Sequence, residues 1–308
     1  MNEVSIVMYH YVRPIKDSKF PGIKGLDLEG FRRQLDYFEH NYKFVTAQEV
    51  IDAAKNGSKL PKNACWLTFD DGYKDHIKFV MPELVRRGIQ GSFFAPSAPI
   101  LERKVLNVNK VQHILACVSD KSFLLSNLNS ECLKRGVSES NLKSYWSQYG
   151  KPNRFDSADV IYIKRMLQHA LPEEIHNEIT NVLFERFVGI SGEAFASELY
   201  MSRLDISELI QNGMFVGSHG SQHYWLNKLS AEKQKIDIQA SLEFLEDVGA
   251  STGNWIMCYP YGAYNEKTLE ILKKKRCSVG ITTELALANL KEFDSLTLPR
   301  FDTNDFPQ

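Results

Sequence analysis

The stretch LTFDDGYKDH, residues 67 to 76, sets two carboxylates, Asp70 and Asp71, side by side at the end of a run of strand-forming residues. Asp-Asp-Gly is ordinary turn chemistry, with Gly72 free to take positive φ and the carboxylates able to cap a following helix. The pair also suits a division of labour in which one carboxylate binds a cation and the other moves a proton. Further along, SHGSQHYWL places His219 and His223 four residues apart. Two imidazoles at that spacing can converge on one side of a turn. With a carboxylate from elsewhere they form a two-His, one-carboxylate set that leaves metal positions open for water and substrate. A third segment, CYPYGAYN, frames Tyr261 between Pro260 and Gly262. Each motif alone has an ordinary structural explanation, because cap and surface histidines are common. Together they mean more if one fold carries all three to one rim.

The elements around them supply such a fold. In the first hundred residues, short apolar runs bounded by turn signals alternate with helical periodicity, the pattern of βα units around a parallel sheet. VSIVMYHYV, ACWLTF and IQGSFFAPS read as strands. DLEGFRRQLDYFEHNY reads as a helix with Phe31, Leu35 and Phe38 on one face and Asp27 near its cap, and IKFVMPELVRRG as a helix ending at Gly88. From about 101 to 205 the chain reads as nearly continuous helix, with Pro172 suited to a first turn and Gly189 to an end. DISELIQNG then carries an Asp205 to Glu208 capping-box spacing and closes on Gly213. MFVGSH, NWIMCYP, SVGITT and SLTLPRF read as strands, with helices at SAEKQKIDIQASLEFLEDVG and EKTLEILKKK. The expectation is one discontinuous βα barrel, residues 1–100 and 206–308, interrupted by an α-helical insertion at 101–205. In such barrels, functional groups sit at the carboxyl ends of strands, where all three motifs fall.

Bulk properties narrow the partners. Over 308 residues, 37 basic and 38 acidic side chains give a formal net charge of -1, and no Lys/Arg run is long enough to track phosphates, so nucleic acid is not expected. Five scattered cysteines without a C-x-x-C pair suggest neither a disulfide framework nor a thiolate zinc site. The N-terminus lacks a basic region and a long apolar run, and no stretch of about 18 apolar residues occurs. A cytoplasmic protein in a reducing compartment is expected.

TFDDG, SHGSQH and YPYG, in this order, resemble the metal-dependent polysaccharide deacetylases, the NodB-homology group of carbohydrate esterase family 4. The likeness covers residues 1 to about 100 and about 205 to 308, including the N-terminal MYHYV. The helical insertion and the terminal PRFDTND resemble a sub-branch met in bacterial surface-polysaccharide gene clusters. The resemblance implies a distorted (β/α)7-type barrel and one divalent ion, Zn2+ first, with Co2+, Ni2+ or Fe2+ also suited to the ligand set. It implies Asp71, His219 and His223 as metal ligands, Asp70 as general base and the backbone N–H of Tyr261 as an oxyanion donor, with Pro260 and Gly262 fixing that loop. The split suits the chemistry: a cation locks Asp71 as an anion and acidifies water for Asp70 to deprotonate.

Two departures from the family pattern stand out. Where many members carry an arginine that orients the base, this chain has Cys258, and the usual Leu-x-His source of a general acid is missing. His10, at the end of the first strand, is the first candidate for the acid, with His113 behind it, and Arg300 for the orienting role. Each also has a structural explanation: core hydrogen bonding for His10, an ion pair for Arg300, a solvated helix for His113. Tyr224 and Trp225 adjoin the histidines and suit sugar stacking, and Leu226 suits an acetyl pocket. The expected reaction is removal of an N-acetyl group, in second place an O-acetyl group, from an amino sugar or glycan intermediate of surface-polysaccharide assembly. The rivals are a metal-dependent hydrolase of a non-sugar or cyclic amide, and an inactive carbohydrate-binding or assembly protein on the same fold. Oligomeric state is not legible.

Overall fold

The structure, a computed structural model, describes residues 1–153 and 156–308. It comprises two compact units: Met1–Pro14, Gly25–Lys104 and Ala196–Gln308 form one, and Ile15–Lys24 with Val105–Phe195 form the other. The helical unit thus takes in a short N-terminal segment that sequence patterning leaves in the barrel. The chain returns to the first unit at Ala196.

The first unit is built on parallel strands β1 (Glu3–Tyr9), β2 (Ala64–Asp70), β3 (Ser92–Ala95), β4 (Phe215–Ser218), β5 (Ile256–Cys258) and β6 (Val279–Ile281), paired in that order. A short seventh strand, β7 (Phe301–Asp302), runs parallel to β1 with Phe301 opposite Val7, and Leu298 just before it bridges Ile281 of β6. The segment from Leu298 to Asp302 therefore joins the two edges of the sheet. Closure of this kind removes open edges and sets the carboxyl ends of the strands around one rim.

Strand residues alternate between two packing environments. Val7, Tyr9, Leu67, Phe69 and Phe93 pack with Phe31, Leu35 and Phe38 of helix Leu28–Asn41, while Ile6, Trp66, Phe94, Cys258, Ile281 and Leu298 belong to a second cluster. Asp27 caps that helix, its side chain accepting from Glu29 N–H. The run expected as one helix before Gly88 is instead a π turn, His76–Val80, leading into helix Met81–Arg87. Pro82 has no N–H to donate, and the turn ahead of it widens so that Met81 N–H reaches His76 C=O. Helix Ala47–Asn56, which no apolar run announced, is started by a Thr46–Glu49 capping box. The capping box expected between Asp205 and Glu208 lies one turn earlier. Ser202 caps helix Arg203–Gln211: its hydroxyl accepts from Asp205 N–H, and the Asp205 carboxylate accepts from Ser202 N–H in return.

The second unit is helical, with helices Asn107–Cys117, Lys121–Lys134, Glu139–Tyr149, Ala158–Arg165 and Glu173–Val188. Val111, Ile114, Leu124, Leu128, Ile163, Leu167, Ile179 and Leu183 are buried in it. Pro172 stands at the N-cap of its last long helix and Gly189 takes φ +71° at the other end. Among the described residues, no helix is long and apolar enough to cross a membrane.

Candidate metal centre and its base

Asp70 is the last residue of β2, and Thr68, two residues earlier, shares its face. Both meet Arg300. The guanidinium donates to Asp70 Oδ1 at 3.0 Å and Oδ2 at 2.8 Å, to Thr68 Oγ1 at 3.2 Å and, through Nε, to Thr282 C=O at 2.7 Å. Arg300 is 1% exposed and Asp70 likewise 1%. Burial opposes ionisation of Asp70, but the Arg300 charge, helped by His219, outweighs it and brings the carboxyl pKa down to about 2. The bidentate fork uses two of the carboxylate's roughly four lone-pair sites and leaves the others for a proton.

Continued regularly, the strand would send Asp71 to the opposite face. Instead Asp71 adopts φ +73° and Gly72 φ +66°, left-handed conformations that swing the carboxylate out of the pleat. A Cβ on Gly72 would stand 2.7 Å from that of Ala95, so the turn also requires glycine for space. Asp71 Oδ1 then lies 3.3 Å from His219 Nε2 and 3.2 Å from His223 Nε2, while Oδ2 accepts from Tyr73 Oη at 2.5 Å. His219 Nδ1–H donates to Cys258 C=O at 2.8 Å, which turns Nε2 toward Asp71. Burial lowers the proton affinity of both imidazoles. In His219 it is outweighed by Cys258 and Asp71, and the pKa rises well above the ordinary value, whereas in His223 burial wins and the pKa falls. Asp71 stays ionised against burial because the two histidines face it.

Buried Asp71 Oδ1 makes no hydrogen bond of acceptable geometry although two ring nitrogens face it. That orphaned oxygen, with two imidazole nitrogens, is a donor set for a divalent cation. Ligands about 2.1 Å from one ion and about 100° apart lie about 3.2 Å from each other, the spacing found here. Asp70, His219 and Cys258 also come within 4.8 Å of one another. Both oxygens of Asp70 are taken by a guanidinium, however, and a cation there would stand against it.

The histidine loop is clamped from two sides. Asp237, on helix Ala231–Asp247, accepts from Ser221 N–H at 3.0 Å and Gln222 N–H at 2.8 Å, and Ala98 N–H donates to Ser221 C=O at 3.0 Å. His223, at φ +57°, depends on that bracing, since a left-handed histidine is strained. Sequence reading missed Asp237. Its signal was a carboxylate in helical register with Gln234, Ser241 and Phe244, on the buried face of that helix.

Tyr261 and Gly262 are left-handed too, at φ +59° and +67°, and a Cβ on Gly262 would stand 2.3 Å from Thr283 Oγ1. Pro260 is buried ahead of them. The Tyr261 ring stacks on Trp225 at 4.4 Å and meets His223 edge-on at 4.7 Å. Tyr224 is exposed. Leu226, by contrast, is fully buried in a cluster with Ile238, Trp255 and Met257, so it packs beneath the loop with no surface open to the rim. His10 follows β1, acts electrostatically on both aspartates, and has its carbonyl oxygen held by His76 Nε2–H at 2.9 Å. His113 is not on a solvated helix. It is fully buried in the helical unit, where Nδ1–H donates to Asn109 C=O and the ring meets Phe20 and Phe195 edge-on.

Residues 172–279 match the family described as polysaccharide deacetylase, a span that includes His219, His223 and Tyr261 but not the aspartates or Arg300. The curated Bacillus subtilis (strain 168) protein "Putative polysaccharide deacetylase YxkH" is 28% identical over 98 residues, 32% of this chain and 35% of that protein. The match therefore spans about a third of that relative's length. Among solved structures, the Streptococcus pyogenes deacetylase PplD in complex with acetate is similar at a TM-score of 0.59 and 17% identity, over 97% of this chain and 92% of that one. IcaB from Ammonifex degensii is similar at 0.56 and 18%, over 97% and 91%. A de-N-acetylase from Aggregatibacter actinomycetemcomitans is similar at 0.57 and 15%, over 98% and 95%. The chain thus carries the fold of these deacetylases and, over residues 172–279, a sequence match to the polysaccharide deacetylase family.

Proposed function

We propose that this protein is a metal-dependent deacetylase that removes the acetyl group from an N-acetylated amino sugar in a surface polysaccharide or its precursor. One observation carries the reading: a buried, unbonded oxygen of Asp71 converges with two imidazoles beside a second aspartate held ionised by arginine. Asp71, His219 and His223 would hold a divalent cation, with zinc the first choice and cobalt, nickel or iron also suited. Such an ion supplies acidification of water and polarisation of the acyl oxygen.

The chain's own groups do the rest. Asp70 takes a proton from the attacking water, and Arg300 holds the carboxylate in place and ionised until it does. The backbone N–H of Tyr261, in a turn fixed by Pro260 and Gly262, is assigned to the oxyanion. His10, near both aspartates, is assigned the proton delivered to the leaving amine. Trp225 and Tyr261 form a flat aromatic pair against which a sugar ring can lie, with Tyr224 beside it. Acetate, the molecule with which PplD was solved, is then the expected product.

The test is acetate release from N-acetylhexosamine oligosaccharides and sugar nucleotides by metal-loaded and metal-stripped protein. Release that needs the metal supports the reading. Release from N-acetylated amines that are not sugars, with none from saccharides, would replace the substrate class, and no acetate from any N-acetyl compound would sink the activity.

A further inference from the structure

Asp71 offers two oxygens, and the structure treats them differently. Oδ1 faces the histidines, while Oδ2 accepts the Tyr73 hydroxyl at 2.5 Å. Tyr73 is fully buried and its ring packs against two others. Tyr11 stacks on it at 4.0 Å and 14°, and Tyr200 lies nearly parallel to it at 6.2 Å and 16°. The backbone is fastened as well: Tyr73 forms an antiparallel bridge with Tyr200, and Met201 N–H donates to Gly72 C=O at 2.9 Å. A phenol so confined can point only where the surrounding residues direct it.

We infer that Tyr73 is a positioning residue that holds Asp71 Oδ2 so that the carboxylate offers a divalent cation the single oxygen Oδ1. The inference rests on the metal-site reading above. Without the hydroxyl, the carboxylate can rotate and loses a charge-assisted hydrogen bond that fixes its lone pairs toward the imidazoles. Tyr73→Phe removes one oxygen and keeps the stacked ring.

The experiment titrates metal-stripped protein with Zn2+ against a chromophoric chelator, for wild type, His219→Ala, Tyr73→Phe and Tyr9→Phe. Tyr9 is an equally buried phenol that donates to Gln34 Oε1 at 3.0 Å, and it serves as the control for loss of a buried hydroxyl. Tyr73→Phe is expected to bind about 10- to 100-fold more weakly than wild type while Tyr9→Phe binds as wild type. Wild-type affinity in Tyr73→Phe, with binding lost in His219→Ala, overturns the inference and leaves the metal site standing. A wild type that binds no Zn2+ overturns both. Equal weakening in Tyr9→Phe and Tyr73→Phe assigns the effect to general loosening and also overturns it. Should Tyr73→Phe not fold, Tyr200→Leu removes one wall of the stack and is expected to weaken binding by a smaller factor. Unchanged binding there overturns the proposal.

Discussion

In the helical unit the buried carboxylate of Glu131 is met by Lys134 three residues on and Arg135 four residues on, with Arg186 joining from a later helix. In the barrel unit Asp70 is met by a guanidinium 230 residues away in sequence. The first arrangement follows almost automatically once a helix forms, because residues three and four apart are neighbours on its surface. Its partners reach solvent, so the pairing adds little beyond stability. The second exists only when the whole sheet has closed. It removes two charges from water, which is costly, and the fold keeps it where a carboxylate must remain ionised without solvent. The proposed chemistry sits where compensation is long-range.

Substitutions can break this contrast at graded strengths. The largest effect is expected from Asp71→Ala or His219→Ala: bound metal is lost by elemental analysis and acetate release falls to background. Asp70→Asn should keep its metal yet lose about 10²- to 10⁴-fold in kcat, because only the proton acceptor is gone. If that variant deacetylates at the wild-type rate, Asp70 is not the base. Arg300→Leu leaves a buried anion uncompensated and should cost about 3–5 kcal/mol in denaturant unfolding. Adding Cys258→Arg to it should return part of the stability and activity, since the Cys258 thiol already lies within 4.8 Å of both Asp70 and His219.

The same pair has an acid signature. The folded pKa of Asp70, about 2, is below the unfolded value of about 3.9. Its contribution is therefore fully present above the unfolded value and is lost as pH falls through the folded one. Arg300→Leu should flatten that limb of the stability curve. The smallest effect belongs to the helical unit: Glu131→Gln should cost about 1 kcal/mol and leave kcat unchanged.

Much of this was legible in the residues. Asp70, Asp71, His219 and His223 announce themselves by spacing, and the strands that carry them by apolar runs ending in turn residues. What sequence could not reveal was how the charges are paired. Arg300 reaches Asp70 only because Leu298 and Phe301 bridge β6 to β1, a closure encoded by bridges too short to leave a period. Asp237 looked like one more polar residue on a helix, and Tyr73 like one more aromatic. Leu226 pointed toward a pocket by adjacency alone, and the core took it. The capping box was misplaced by one turn because Ser202 and Asp205 fit the same pattern as Asp205 and Glu208.

The strand that closes the sheet also delivers the arginine, and this gives the chain a direction in time. During synthesis from the N-terminus, both aspartates and both histidines emerge before Arg300. Until residue 302 has left the ribosome, Asp70 has no guanidinium to meet it and the link from Leu298, against β6, to Phe301, against β1, is incomplete. The nascent barrel must hold its carboxylates in water and its edges apart. Burial of the reactive groups and completion of the fold are then one event, and a chain that stops short of it has neither.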